Sequence, residues 1–304
     1  MHTAPFIRKL GVIDCDMVET TPVVFRDRLY RFESVRTGYR HNTTGSSYFR
    51  FVDVATGAPT QPFATGHHLG CAVAWRDRMY VYGVPDWGAT VMRVFHSADL
   101  RRWEQADAFT TEGWTLFNST VCRDRTGFVM AFELGEPPEV VGVRFTNRFA
   151  QSKDLLHWTI LPDAYVYTRD RYSACPSLRY TGGWYYMLYL EAYPGPQYGT
   201  HLVRSRDLVR WHPSPLNPLL MASDEDKRIA NPELTEADRR RIEGIVNINN
   251  SDVDLCEHQG KTVLYYSWGT QTGDEFLAEA VFDGTLRAFF ERCYPTSSQT
   301  PAVR

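Results

Sequence analysis

The chain has 304 residues and a formal net charge of −3 at pH 7, and 14% of its residues are aromatic. It carries no broad basic surface for a polyphosphate backbone, which argues against nucleic acid as a partner. No stretch approaches the length of apolar sequence that spans a bilayer, so no membrane partner is expected. The many aromatic residues favour β-structure and leave rings available for stacking on a ligand.

The N-terminal segment and the cysteines bear on the compartment. Residues 1–10 lack the apolar run of a signal peptide. Six cysteines are spread along the chain, with no C-x-x-C pair and no zinc-like spacing with histidine. We therefore expect mostly buried thiols in a cytoplasmic, reduced protein, unless a leader has been removed from the chain.

Hairpin-like segments recur along the chain. Each consists of a strand, a polar or glycine turn and an aromatic strand. In chain order they lie at 22–32, 71–82, 121–132, 176–187 and 253–266. They make about five units, and the opening segment 6–13 is predicted to add a strand to the last unit and so close a ring.

The motif S-x-D-L-x-x-W follows the second, third and fourth hairpins, at 97–103, 152–158 and 205–211. Its Ser and Asp can close a turn through side-chain to backbone hydrogen bonds, while its Leu and Trp pack the outer strand onto the unit. The first two copies begin 55 residues apart and the next two 53, a period that suits a four-stranded blade. The sequence therefore predicts an all-β, five-bladed β-propeller as a single domain over 1–304.

One stretch, about 213–246, departs from the repeat and is predicted as an insertion between blades four and five. Within it, Thr235 is a candidate N-cap of a short helix that stops at Gly244. A lid over the site and a surface elaboration are both open readings of this insertion.

A propeller brings the entrances of its inner strands to one axis, so polar residues just ahead of those strands are the site candidates. They are Asp14, Asp16, Glu19, His67, His68, Asn118, Ser119, Asp170, Arg171, Tyr172, Asn249, Asn250 and Asp252.

A second set of candidates, Glu33, Glu133 and Glu191, lies where the second strand of a unit ends. A carboxyl group directly after an apolar strand is prone to burial, and burial raises its pKa, as a general acid requires. The alternative is a structural role, in which each Glu is paired with an Arg at a loop edge.

Cleavage of a glycosidic bond is the chemistry that needs two or three carboxylates around one pocket. We predict Glu19 and Asp252 as entrance carboxylates, Glu133 and Glu191 as the acid and its partner, and Asp16 as a reserve.

The predicted substrate-binding residues are His67, His68, Asn118, Arg171, Tyr172 and Asn250. His67 or His68 with Arg171 could bind sugar hydroxyls or an anionic group. Adjacent histidines on a strand point to opposite faces and no H-x-H occurs, so no metal ligands are predicted. No cofactor is predicted either, although an oxygen-ligated structural ion in the central channel stays open.

The S-x-D-L-x-x-W endings and the hairpin at 182–189 resemble those of the five-bladed β-propeller glycoside hydrolases, the superfamily of arabinanases, β-xylosidases and invertase-like enzymes. The resemblance covers nearly the whole chain and marks the fold, which hosts different substrates. It implies a small carbohydrate substrate and, in arabinanase-like members, an Asp base before a proline in blade one, a second Asp that orients and tunes, and a Glu acid that opens a later blade.

This chain departs from that pattern, so the resemblance is to a divergent member of the superfamily. Blade one reads Asp16-Met-Val-Glu19-Thr-Thr-Pro22, with a Glu nearest the proline. Blade four opens with Cys175-Pro176, where the pattern would have its acid. Either the acid comes from Glu133 or Glu191, or the chain represents a divergent family with another arrangement of the site.

Three functions remain open at this point. The leading one is an exo-acting glycoside hydrolase that removes a terminal sugar. The second is a glycoside phosphorylase in which Arg171 and His67 or His68 receive phosphate, and the third is a non-catalytic carbohydrate-binding propeller.

Overall fold

The computed structural model describes residues 3–295, which form five antiparallel sheets arranged as propeller blades. Blade 1 contains β2 (Thr21–Phe25), β3 (Arg28–Val35) and β4 (Tyr48–Asp53). Blade 2 contains β5 (His68–Trp75), β6 (Arg78–Val84), β7 (Val91–Ser97) and β8 (Glu104–Thr110). Blade 3 contains β9 (Thr115–Arg123), β10 (Phe128–Glu136), β11 (Thr146–Ser152) and β12 (Trp158–Ile160).

Blade 4 contains β13 (Ala174–Thr181), β14 (Trp184–Tyr193), β15 (Gln197–Ser205) and β16 (Trp211–Pro213), and β17 (Leu220–Met221) also pairs with β15. Blade 5 contains β18 (Asn249–His258), β19 (Lys261–Gly269), β20 (Glu275–Phe282) and, outermost, β1 (Arg8–Cys15). The inner strands β2, β5, β9, β13 and β18 each contact the next, and β18 returns to β2. The predicted all-β, five-bladed propeller is confirmed.

The ring is closed by the start of the chain, as the sequence predicted. Strand β1 pairs antiparallel with β20, from Arg8 opposite Val281 to Cys15 opposite Phe276. The free edge of β1 is covered in turn by the insertion, because the Val12 N–H donates to Arg228 O at 2.7 Å. The first and last strands of the described chain are therefore held in one blade.

The S-x-D-L-x-x-W motifs are turns, as predicted. In the first copy Ser97 Oγ accepts the Leu100 N–H at 2.9 Å, and Asp99 Oδ1 accepts the Arg102 N–H at 2.9 Å. The same bonds recur in the second copy. The leucine of each copy has a positive φ, between 58° and 68°, which the side-chain bonds hold in place.

The insertion between blades 4 and 5 contains β17, a 3₁₀ turn at Asp224–Lys227 and the helix α2 (Glu236–Gly244), which confirms the predicted helical insertion. Thr235 caps α2, since its Oγ1 accepts the Asp238 N–H at 3.2 Å while Asp238 Oδ2 accepts the Thr235 N–H at 3.0 Å. The other helices within residues 3–295 are α1 (Pro138–Val141), α3 (Leu286–Arg292) and a second 3₁₀ turn at Asp163–Tyr165.

The hydrophobic core lies between neighbouring blades. In the core between blades 1 and 2, for example, Phe63 stacks on Trp103 with ring centroids 3.8 Å apart. All six cysteines are free, and four of them are buried, as expected.

Of the helices in the described part of the chain, none has the length and apolar character to cross a membrane. A cytoplasmic location stays a prediction. So does a single domain over 1–304, whose first two residues and last nine, 296–304, lie outside the described residues.

Candidate active site

The entrances of four inner strands carry non-glycine residues with positive φ. They are Glu19 (55°), Leu69 (56°), Cys175 (52°) and Asp252 (51°). The last three lie where the pairing of the inner strand with its neighbour shifts register. A β-bulge re-aims a side chain, and such backbone conformations cluster at functional sites. All four residues line one pocket on the propeller axis.

The pocket has a volume of about 250 Å³ and is lined by four carboxyl groups, of Glu19, Glu133, Asp252 and Glu275. Among its described lining residues Arg36 is the single Lys or Arg. Aromatic side chains complete the wall: Trp87, Phe117, Phe145 and Tyr172. The pocket continues down the axis into a narrower cavity that also holds Glu19, Asn118, Cys175 and Asp252.

Glu133 is a buried carboxyl, 2% exposed, near the end of β10. Its Oε2 accepts the Cys175 N–H at 2.7 Å and a bond from Asn118 Nδ2 at 3.3 Å. Burial raises the pKa of Glu133 to about 8, and the charges of Glu19 and Asp252 add to this effect. Glu133 is therefore protonated at neutral pH, and because Oε2 is the acceptor, Oε1 is the oxygen placed to carry the proton.

The other carboxyl groups of the pocket interact electrostatically with Asp252. Burial and the charges of Asp252 and Glu19 raise the pKa of Glu275 to about 7. Burial also raises the pKa of Glu19, although the Arg36 guanidinium, 2.8 Å from Glu19 Oε2, opposes the rise. The charge of Asp252 thus acts on the three other carboxyls of the pocket.

Of the residues predicted from the sequence, the structure brings Glu19, Glu133, Asp252, Asn118 and Tyr172 together in this pocket. The Glu133 carboxyl meets the backbone of Cys175, the position where the family pattern has its acid. A carboxyl from the neighbouring blade thus occupies that end of the pocket.

Three predicted residues do not line the pocket because they bond to other groups. Asp16 pairs with Arg241 of α2 at 2.7 Å. Glu191 is half-buried and accepts a bond from Tyr189 Oη at 3.0 Å. Arg171 is exposed and pairs with Asp170 at 3.1 Å.

The remaining three also lie outside the pocket lining. His67 is buried and packs edge-on against Phe95, with ring centroids 4.8 Å apart. His68 Nε2 lies 3.1 Å from Ser47 Oγ. Asn250 is fully buried and accepts a bond from Lys9 Nζ at 2.7 Å.

Sequence reasoning missed Glu275 and Arg36. Both lie at the pocket end of a blade, Glu275 as the first residue of β20 and Arg36 just after β3. The candidates from the sequence are residues just ahead of inner strands and residues at the ends of second strands. Glu275 begins a third strand and so falls in neither set, and at the end of β3 the candidate was Glu33. Glu33 is fully buried and paired with Arg31 and Arg50, as the alternative reading had it.

Within residues 3–295 no group of three or more His, Cys, Asp and Glu side chains is arranged to hold a metal ion. The expectation of no cofactor, with an oxygen-ligated channel ion left open, stays a prediction.

No protein-family model and no curated protein matches the sequence. Solved structures do match it. One described as a glycoside hydrolase is 15% identical, with a TM-score of 0.63, over 100% of this chain and 95% of that chain. The chain shares its fold with that protein.

Two further matches have the same fold. A glycosyl hydrolase from Bacteroides ovatus is 12% identical, with a TM-score of 0.57, over 87% of this chain and 84% of its own. An exo-1,5-alpha-L-arabinanase from a bovine ruminal metagenomic library is 10% identical, with a TM-score of 0.57, over 89% of this chain and 93% of its own. At this identity the likeness concerns the fold, and the chemistry has to be argued from the pocket.

Proposed function

We propose that the protein is a glycoside hydrolase that cleaves a terminal sugar by carboxylate acid/base chemistry in the axial pocket. The observation that carries the proposal is Glu133, a carboxyl whose pKa is raised to about 8 and which faces the same pocket as Asp252. Two carboxyl groups of opposite protonation state around one bond are what glycosidic cleavage requires. The fold of the matching glycoside hydrolases agrees with it.

In the proposed reaction Glu133 donates its proton to the leaving glycosidic oxygen. Asp252 either takes a proton from the attacking water or attacks the anomeric carbon itself, and the separation of the two carboxyls along the substrate decides between these routes. The Arg36 guanidinium, 2.8 Å from Glu19 Oε2, favours the carboxylate form of Glu19, and in that form Glu19 would stabilise the oxocarbenium-like transition state.

Removal of a terminal sugar is supported by the size of the pocket. Its volume of about 250 Å³ is below the range of about 300–1,000 Å³ that is typical of sites for drug-sized ligands. The aromatic side chains of Trp87 and Tyr172 at the wall offer faces for a sugar ring. A pocket of this kind suits the end of a short oligosaccharide or a simple glycoside.

Phosphorolysis is less well supported. Four carboxyl groups and one arginine give the pocket an acidic lining that repels phosphate. The residues expected to receive phosphate, Arg171 with His67 or His68, do not line it. A binding-only role is also less well supported, because a sugar-binding site does not need a desolvated carboxyl that stays protonated at neutral pH.

The proposal is tested by incubating the protein with a panel of nitrophenyl furanosides and pyranosides and short oligosaccharides, with and without phosphate. We expect turnover without phosphate, and a loss of about 10²–10⁴-fold in Glu133→Gln and in Asp252→Asn. Glu191→Gln is the matched control, because Glu191 also ends a second strand but lies outside the pocket lining. Turnover that requires phosphate, or binding of a sugar with no turnover, would contradict the proposal.

A further inference from the structure

The axial channel below the carboxyls is divided by an ion pair between Arg179 of β13 and Asp254 of β18. Asp254 lines the cavity that also holds Asp252. Arg179 lines a further cavity, of about 240 Å³, farther along the inner strands, which we call the lower cavity. The pair therefore lies between the pocket and the opposite end of the channel.

The guanidinium of Arg179 joins three blades. Nε and Nη2 donate to Leu255 O of blade 5 at 3.0 and 2.7 Å. Nη1 donates to Leu178 O of blade 4 at 2.8 Å and to Thr120 Oγ1 of blade 3 at 3.4 Å. Nη2 also bonds to Asp254 Oδ1, and the two side chains are only 16% and 13% exposed. Such a set of bonds fixes the cation in the channel.

Asp254 is held in place as an acceptor. Its Oδ1 also accepts bonds from Ser177 Oγ at 2.6 Å and from the Leu255 N–H at 2.9 Å. It follows Asp252 by two residues, at the end of the bulge where the pairing of β18 with β19 shifts. A second carboxylate of the same strand thus lies directly below the pocket.

We propose that Arg179 is a positioning residue: its guanidinium pairs with Asp254, so that Asp254 places no uncompensated negative charge directly below the carboxyl groups of the pocket. This inference rests on the proposed function. It follows from the position of the pair between the two cavities and from the bonds that tie it to three blades.

The electrostatic consequence has a definite sign. An unpaired Asp254 carboxylate would add to the like-charge repulsion that Asp252 and Glu19 already exert on Glu133. Loss of Arg179 therefore raises the pKa of Glu133, and loss of the Asp254 charge, which leaves the guanidinium unneutralised, lowers it.

The test is a ¹³C NMR titration of the Glu133 carboxyl in the substrate-free protein, with the resonance assigned by Glu133→Gln. We expect Arg179→Met to raise its titration midpoint by about half to one pH unit and Asp254→Asn to lower it by a similar amount. The double variant Arg179→Met/Asp254→Asn should return it close to the native value. Arg123→Met is the control, because Arg123 lines the lower cavity but stacks on Trp75, 4.2 Å from the ring centroid.

The titration uses no substrate, so it stands apart from the test for glycoside hydrolysis. An unchanged midpoint in folded Arg179→Met, or an equal shift in Arg123→Met, would overturn the inference. If Arg179→Met does not fold, Asp254→Asn and the double variant still decide, because the inference predicts a lowered midpoint in the first and a native one in the second. For activity, once a substrate is found, Arg179→Lys should restore the native pH profile in part.

Discussion

At the scale of single residues, the pocket depends on Glu133 being kept neutral. Its carboxyl is 2% exposed and faces Asp252 and Glu19, so burial and like charge both oppose ionisation. The Cys175 N–H stabilises the carboxylate at 2.7 Å but does not compensate for the burial. In the proposed hydrolase such a group would favour catalysis at the expense of stability.

The first prediction concerns stability as a function of pH. The pKa of Glu133 rises from its ordinary value of 4.5 to about 8 in the folded state. Between these values the unfolded chain ionises Glu133 and the folded protein does not, so folding stability falls as pH rises. Glu133→Gln removes this dependence. As pH rises between the two pKa values, the free energy of unfolding of the variant should therefore increase relative to that of the native protein, by up to about 1.4 kcal/mol per pH unit.

Urea unfolding of both proteins from pH 5 to pH 8 measures the difference. Parallel stability curves would show that Glu133 titrates normally in the folded protein.

The sequence predicted Glu133 but did not distinguish it from Glu191. Glu133 and Glu191 both lie near the ends of second strands, and both were predicted. Side chains alternate along a strand, and in β14 it is Leu190 that faces the pocket while Glu191 points elsewhere. An offset of one residue in the strand decides whether the glutamate faces the pocket. That offset depends on tertiary packing, which the local sequence pattern does not show.

At the scale of elements, the insertion is anchored by a buried ion pair. Lys9 of β1 lies 2.7 Å from Asp226, and both side chains are fully buried. Asn250 and Tyr266 also bond to this pair. The cluster therefore joins the closing strand, the insertion and the innermost strand that carries Asp252. The sequence predicted the helix of the insertion from its cap, but assigned Asn250 to the substrate because burial among distant partners has no local signature.

The second prediction concerns this pair. Removing one partner of a buried ion pair leaves an uncompensated charge, so Lys9→Met should lower the free energy of unfolding by about 3–5 kcal/mol. Lys261→Met is the control, because Lys261 pairs with Asp283 on the surface at 3.4 Å, with side chains 57% and 67% exposed, and should change stability by less than about 1 kcal/mol. Equal losses in the two variants, measured by urea unfolding, would exclude the anchoring role.

At the scale of the whole molecule, the propeller depends on β1 returning to the last blade. The repeats predicted this closure, since the opening segment has no other partner in the pattern. What they did not predict is that the insertion packs on the edge of β1, where Gly11 adopts a φ of +112° against Arg228. A Cβ at Gly11 would lie 2.2 Å from Arg228 O, so only glycine permits this approach.

The third prediction tests the contact between the insertion and β1. Gly11→Ala should destabilise the protein by more than about 1 kcal/mol, because both the backbone conformation and the contact oppose a side chain. Gly38→Ala is the control, since nothing lies within 4 Å of a Cβ at that position. Limited proteolysis should release the segment around β1 in Gly11→Ala before any other, and a native cleavage pattern together with native stability would contradict the role of this contact.

The central claim is that Glu133 acts as the acid in a glycosidic cleavage. The measurement that tests it most directly compares kcat/KM of the native protein and Glu133→Gln on two glycosides of one sugar, one with a dinitrophenyl and one with an alkyl leaving group. A good leaving group needs no proton. The kcat/KM of the variant should therefore fall little on the dinitrophenyl glycoside and about 10²–10⁴-fold on the alkyl glycoside. Equal losses on both substrates, or none on either, would contradict the account.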